Sequence, residues 1–335
     1  MRIDQRNAGA SKTITDTANY TYTLDRWGAY GSQASKFSVQ QNAGSVTPPN
    51  GFTKYLGITS LSAYSTLAAD RFELLQGIEG VNTADLGWGA AGAVSVTLSF
   101  WVRSSLTGTF GGSLQNSAGN RSYPFSFVIN ASNTWEQKTI TVTGDTTGTW
   151  VTDTTAAGIY LTFSVGTGSN KAATAGAWAA GNYTTATGAT SVVGTNGATF
   201  YITGVQLEPG STATPFERRS YGQELSLCQR YGLKLEQQQN TGGFCGTATT
   251  AITRFTLPVT MRAVPTASII TSGSWIVGND YSANYTASTV SISSSNLTAS
   301  GGRLSLGGFP AFGSNFFVGG TDSAGTAVIF LNSEL

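Results

Sequence analysis

The chain has 335 residues, 42 of them glycine, with 10% charged and 11% aromatic residues and a formal net charge of +1. Charged residues fall far below the usual share of about 25%, but the aromatic content and the many Thr, Val and Ile predict packed strands rather than disorder. Histidine is absent, which excludes Ser-His-Asp and Cys-His nucleophilic sites, His-ligated metals and His general bases.

The balanced charge supplies no basic field for nucleic acid. Cys228 and Cys245 are too few for a disulfide framework, lack C-x-x-C spacing and read as ordinary thiols. The N-terminal run Met1-Arg2-Ile3-Asp4-Gln5-Arg6-Asn7 has no apolar core after its charges, and no window reaches the roughly 18 apolar residues of a spanning helix. Neither a signal peptide nor membrane insertion is expected. No calcium-loop pattern occurs, and nothing points to a metal or other cofactor.

Short alternating runs bounded by Gly, Asn, Ser and Thr mark residues 1–210 as a jelly-roll or β-sandwich domain. Strands are expected near 20–30, 36–40, 70–79, 124–130 and 135–143. The clearest is Val94 to Arg103, with Val94, Val96, Leu98, Phe100 and Val102 in one phase and Ser95, Thr97, Ser99, Trp101 and Arg103 in the other. Ile159, Leu161, Phe163 and Val165 repeat this with Tyr160, Thr162 and Ser164 opposite, and Ala198 to Glu208 mixes both phases. Residues 104–122 and 166–197 read as two long loops of low charge. No fixed repeat period appears, which argues against a β-helix or propeller.

The composition shifts at Pro215. Glu217, Arg218, Arg219, Glu224, Arg230, Lys234 and Glu236 crowd into a connector at 211–236. Within it, Ser220-x-x-Gln223 reads as a capping box, Leu225, Cys228 and Tyr231 share a face, and Gly232 is a stop signal, so a short helix is expected at 220–231. The charged run is either a solvated connector or an inter-subunit salt-bridge layer. Strand patterning resumes after the connector, predicting a second, smaller β-sandwich at 237–335. The expected fold class is all-β throughout.

Several ordered segments resemble a module widespread in tailed-bacteriophage virion proteins, found in tail fibres, tailspikes and related appendages. They are Met1 to Ala10, Thr23-Leu24-Asp25-Arg26-Trp27, Ile78-Glu79-Gly80, Leu98 to Ser104, Gly144-Asp145-Thr146-Thr147-Gly148-Thr149-Trp150 and Thr203-Gly204-Val205-Gln206-Leu207-Glu208-Pro209-Gly210. Pro215 to Tyr231 is similar to the segment that follows the module. The resemblance implies a virion structural protein, assembled in the host cytoplasm, with a carbohydrate-binding-module-like jelly roll, a homotrimeric state and other virion proteins as partners. It carries over no catalytic residues. The expected function is a tail fibre or receptor-binding appendage that recognises host cell-surface glycan without cleaving it. The alternatives are a head fibre or capsid decoration protein, and a glycan-degrading tailspike.

Candidate ligand contacts follow from strand phase. Trp101 faces away from the aliphatic side of its strand, with Arg103 in the same phase. A large apolar ring so placed either stacks on a sugar or packs beneath a loop or subunit. If their strands share a sheet, Trp101, Tyr160 and Tyr201 make an aromatic platform with Arg103 as donor; the alternative is that loops 104–122 and 166–197 cover them. Trp178 and Tyr183 are either anchors of the second loop or a binding surface, and Tyr281 and Tyr285 are either sugar-stacking groups or edge packing. Glycoside cleavage needs two carboxylates roughly 5–10 Å apart; the pairs to consider are Asp145 with Asp153 and Glu73 with Glu79, and neither spacing favours a shared cleft.

Overall fold

A computed structural model describes residues 1–236, 241–247, 249–271, 275–278, 284–286, 289–291, 297–307, 317–322 and 328–335. The chain divides into two compact units, Met1–Tyr221 with Leu335, and Gly222–Glu334. Both are β-structures, as the alternating pattern predicts.

The first unit contains β1 (Lys12–Thr13), β2 (Thr21–Leu24), β3 (Trp27–Gly31), β4 (Phe37–Gln41), β5 (Leu56–Ser60), β6 (Arg71–Glu79) and β7 (Val96–Ser104). There follow β8 (Gly108–Asn116), β9 (Arg121–Ile129), β10 (Glu136–Val142), β11 (Ala157–Thr167), β12 (Ala172–Ala173), β13 (Ala179–Ala180), β14 (Thr185–Ala186) and β15 (Thr199–Pro209). A six-stranded sheet runs β1-β4-β5-β15-β7-β10, and a seven-stranded sheet runs β13-β9-β8-β11-β6-β3-β2. Neighbours distant in sequence pair antiparallel within each sheet, the arrangement of a jelly-roll sandwich.

The inward phase of every long strand meets in one aromatic-rich core. Phe100 of β7 lies 5.0 Å from Phe127 and 5.0 Å from Phe163 of the facing sheet, edge-on to both rings. Phe110 stacks on Phe200 across the sheets at 5.8 Å. Leu98, Val102, Leu114, Leu161 and Ile202 fill the space between them and are fully buried. Burial of this area is the main drive for closing the sandwich.

Two regions differ from the sequence expectation. Residues 104–122 are not a loop, because Gly108–Asn116 form β8, paired with β9 and β11. Its alternation is thin because glycines stand where side chains do not fit: a Cβ on Gly112 would lie 2.1 Å from the Thr162 carbonyl oxygen. β5 was not anticipated either, since Leu56-Gly57-Ile58-Thr59-Ser60 is short and interrupted by Gly57. Residues 166–197 do form a strap, with only the two-residue strands β12, β13 and β14 in it.

The connector's first half belongs to the first unit. Phe216 packs on Phe52 at 5.2 Å, the Arg218 guanidinium lies 4.9 Å from the same ring, and Arg218 donates to the Gly51 carbonyl. Glu217 pairs with Arg219 at 3.5 Å in an exposed contact.

Helix α1 (Tyr221–Gln229) follows, one residue inside the expected start. In the second unit, Cys228 and Tyr231 are buried, and the Tyr231 carbonyl accepts from the Ser333 amide at 2.8 Å. Gly232–Glu236, Val328–Asn332 and Thr266–Thr271 form a three-stranded sheet, and a larger antiparallel sheet is built around Thr250–Thr256 and Gly301–Gly307. Among the described residues no helix is long and apolar enough to cross a membrane.

Truncating Phe100 leaves a void between two sheets that cannot collapse independently. Phe100→Ala is expected to lose about 3–5 kcal/mol of stability, read as a lowered denaturant midpoint; a loss below about 1 kcal/mol would contradict this packing.

Candidate functional site

Because Phe100 points inward, Trp101 and Arg103 stand on the outer face of the six-stranded sheet. The ladder sets Thr203 and Gln137 on either side of Trp101, and Tyr201 beside Arg103. Trp101 is half-buried, while Gln137 and Thr139 are exposed. Among the described residues Trp101 makes no ring contact, and its indole N–H has no protein acceptor. Every other tryptophan of the first unit packs on an aromatic ring: Trp27 on Phe163, Trp135 on Tyr55, and Trp88, Trp150 and Trp178 on one another.

Tyr201 shares the face of Trp101 but is only 3% exposed. The 42–55 loop covers it: Tyr55 lies 5.1 Å from its ring and Trp135 6.5 Å, and the Trp135 indole donates to the Thr47 carbonyl at 2.9 Å. Arg103 sits 5.6 Å from the Tyr201 ring and donates through Nε to the Asn133 carbonyl at 2.9 Å. The cover is thus a loop the sequence did not single out, not 104–122 or 166–197.

Tyr160 lies elsewhere. β11 belongs to the seven-stranded sheet, where Tyr160 pairs with Gly77 and Gln115, so Trp101, Tyr160 and Tyr201 do not share one platform. The 168–197 strap crosses this outer face. Gln115 donates to the Tyr183 carbonyl at 2.6 Å, Ser122 to that of Gly181 at 2.8 Å and Thr162 to that of Thr184 at 3.3 Å. Tyr183 is half-buried with its ring against Gly181.

Trp178 anchors the same strap. Its indole donates to the Thr143 carbonyl at 2.7 Å, and its ring lies 5.2 Å from Trp88, 5.3 Å from Trp150 and 5.3 Å from Tyr123. Trp178 and Tyr183 therefore sit in different surroundings. Tyr281 lies outside the described residues.

The carboxylates named from sequence are dispersed. Glu73 and Glu79 share β6 but stand six residues apart, about 20 Å along an extended strand. Burial pushes the Asp145 carboxyl up, but the two Arg121 bonds at 2.8 and 2.6 Å, with help from Thr147, outweigh it and hold the group below its ordinary value. Asp153 is exposed. Among the described residues no group of three or more His, Cys, Asp or Glu is placed to hold a metal ion.

Glu73 is the group sequence reasoning undervalued. It is fully buried beneath the strap, accepts from the Tyr20 hydroxyl through Oε1 and lies 3.5 Å from Arg71 Nη1. Its Oε2 makes no well-aligned hydrogen bond, and the Thr184 hydroxyl, itself without another partner, lies near enough to favour the carboxylate. Burial pushes its pKa above the ordinary carboxylate value, and Arg71, the Tyr20 and Thr184 hydroxyls and Lys171 only partly oppose this.

The segments that carry the family resemblance serve packing and turns. Gly204 sits at φ +59° beneath the Phe52 ring, at a break in the β15–β7 register, where a side chain would clash and strain the backbone. Gly80 abuts the Val151 carbonyl, and Asp145 binds Arg121 and Thr147.

No family model matches the chain, and no curated protein matches it. Solved structures give similarities at low identity. A structure described as CBM4 matches at 15% identity and TM-score 0.31, over 60% of this chain and 95% of that one. The CBM22-1 xylan-binding domain of a Paenibacillus barcinonensis protein matches at 12% and 0.27, over 62% and 99%. The enzymatically active domain of tailspike protein 4 of bacteriophage CBA120 matches at 12% and 0.31, over 62% of this chain and 21% of that one.

The raised pKa of Glu73 gives a signed expectation. A folded-state value above the unfolded one means that ionisation costs stability at neutral pH, and the cost disappears as pH falls through the folded value toward the unfolded one. Glu73→Gln is expected to melt at or above the parent at neutral pH, with the difference shrinking on acidification toward pH 4.5. A difference in melting temperature that grows in acid would contradict it.

Proposed function

We propose that the first unit is a non-catalytic glycan-recognition module of a bacteriophage virion appendage, most simply a tail fibre, and that the whole chain assembles as a homotrimer on the particle. The observation that carries glycan contact is Trp101. A half-buried indole with an unused N–H and no ring partner, flanked by exposed Gln137 and Thr139 on the sheet, offers a stacking surface with hydrogen-bonding groups at its edge. The virion assignment is supported by the ordered series of segments from Met1 to Tyr231 that resembles the phage module. The roughly 20 Å between Glu73 and Glu79 on β6, and the engagement of Asp145 by Arg121, support recognition without cleavage.

The sheet is suited to this role because its outer face is only partly covered. The 42–55 loop and the 211–221 segment lie against β15, and Gly210 and Ser211 reach Thr97 and Thr141 at one end of β7 and β10, which leaves the stretch around Trp101, Gln137 and Thr139 to a ligand. Arg103, anchored by Asn133 and Tyr201, stands two residues from Trp101 in the same phase and keeps further guanidinium donors.

The test is binding of the purified chain to an array of bacterial surface polysaccharides, paired with an assay for released reducing ends. Saturable binding without release is expected. Trp101→Ala should weaken binding by about 5- to 150-fold, from a stacking contribution of about 1–3 kcal/mol, at an unchanged melting temperature. Release of reducing ends would convert the reading to a glycan-degrading tailspike, and undiminished binding by a folded Trp101→Ala would remove Trp101 from the site.

A further inference from the structure

The opposite face of the same unit holds an arginine whose donors the fold leaves largely unused. Arg71 opens β6 with its guanidinium 4.4 Å from the Tyr30 ring centroid and 5.9 Å from that of Tyr20. Its Nη1 is 3.5 Å from Glu73 Oε1, and 24% of its side chain remains exposed. Tyr20 and Tyr30 pack together at 5.4 Å, and the hydroxyl of Tyr30 already donates to the Thr17 carbonyl. Lys171 on the strap lies close enough to act on Glu73 and makes no ion pair among the described residues.

The buried carboxylate is what makes this a built arrangement. Glu73 is fully buried, its Oε2 has at most the Thr184 hydroxyl near it, and a neutral residue would fill the position at lower cost. What the carboxylate accomplishes is to hold Arg71 over Tyr30 while part of the arginine side chain stays exposed. Glu73 faces two cations, Arg71 and Lys171, while the neighbouring Asp70 carboxylate is taken up by the Ser32 and Tyr64 hydroxyls and the Leu67 amide. A planar guanidinium matches a carboxylate with two parallel bonds, and an aromatic backing suits a sugar ring.

We propose that Arg71, backed by Tyr30 and flanked by Lys171, forms a second contact position on the seven-stranded sheet that takes the carboxylate of an acidic sugar residue, a uronate in the simplest case. Glu73 is its positioning residue. This inference rests on the glycan-recognition reading but uses the face opposite Trp101.

Native electrophoresis of the full chain through gels cast with polygalacturonate, or with neutral dextran, tests it. The parent is expected to be retarded by polygalacturonate, and Arg71→Ala to reduce the association constant by about tenfold or more, as expected for loss of charge-assisted bonds. Arg71→Lys should lose most of the retardation too, since it keeps stem and charge but not the fork, and it carries the test if Arg71→Ala fails to fold. Trp101→Ala should be retarded like the parent. No retardation of the parent by polygalacturonate, parent-like retardation of Arg71→Lys, or loss of retardation in Trp101→Ala would each overturn the site. Retardation by dextran alone would do so while leaving the glycan-recognition reading in place.

Discussion

Phe100 sets the phase on which everything outside the core depends. With its ring held edge-on between Phe127 and Phe163, β7 has one allowed register face, and a slip of one residue would bury Arg103 and expose the aliphatic phase. Trp101 is therefore outward by constraint, not by local preference. The same logic fixes Tyr160 and Glu73 on the outer side of the other sheet, since Phe163 and Phe72 hold β11 and β6 from within.

The two outer faces are finished differently. On the six-stranded sheet an aromatic cover of Tyr55, Trp135 and Tyr201 protects one flank and leaves Trp101 beside it without a ring partner. On the seven-stranded sheet a long strap is tied down by side chains that donate to its backbone carbonyls, so the buried polar face satisfies itself through Gln115, Ser122 and Thr162. Glu73 is the charged member of that layer among several buried atoms without a bonded partner, Asn182 Oδ1, Thr184 Oγ1 and Thr185 Oγ1 among them, and an incompletely satisfied buried charge is a larger local cost than an unbonded hydroxyl.

Much of this was legible in the sequence, for identifiable reasons. The strict alternation of β7 and β11 reported both their existence and which residues face outward, and the Gly232 stop signal placed the helix to within a residue or two. β8 was hidden because Gly111 and Gly112 replace side chains exactly where Thr185, Phe125 and the β11 backbone approach, which erases the apolar pattern. Sheet membership was not legible, because the pairing of β7 with β15 and of β11 with β6 joins segments far apart in sequence, and strand phase says nothing about which strands meet. For that reason a platform of Trp101, Tyr160 and Tyr201 is conditional on a shared sheet, and the condition fails for Tyr160, which lies in the other sheet, while Tyr201 lies under a loop. Glu73 was visible only as a carboxylate; its burial arises from a strap about a hundred residues later in the chain.

Among the described residues Trp101 is the indole of the first unit with neither a ring partner nor a bonded N–H, and glycan recognition as proposed requires that it meet ligand. The most direct measurement is an NMR titration of indole N–H signals, assigned by single Trp→Phe variants, with a polysaccharide that the protein binds. The account predicts that the Trp101 signal shifts saturably while those of Trp88, Trp135 and Trp178, bonded to Val94, Thr47 and Thr143, stay in place. A saturable shift of any of those three with Trp101 unmoved would contradict it.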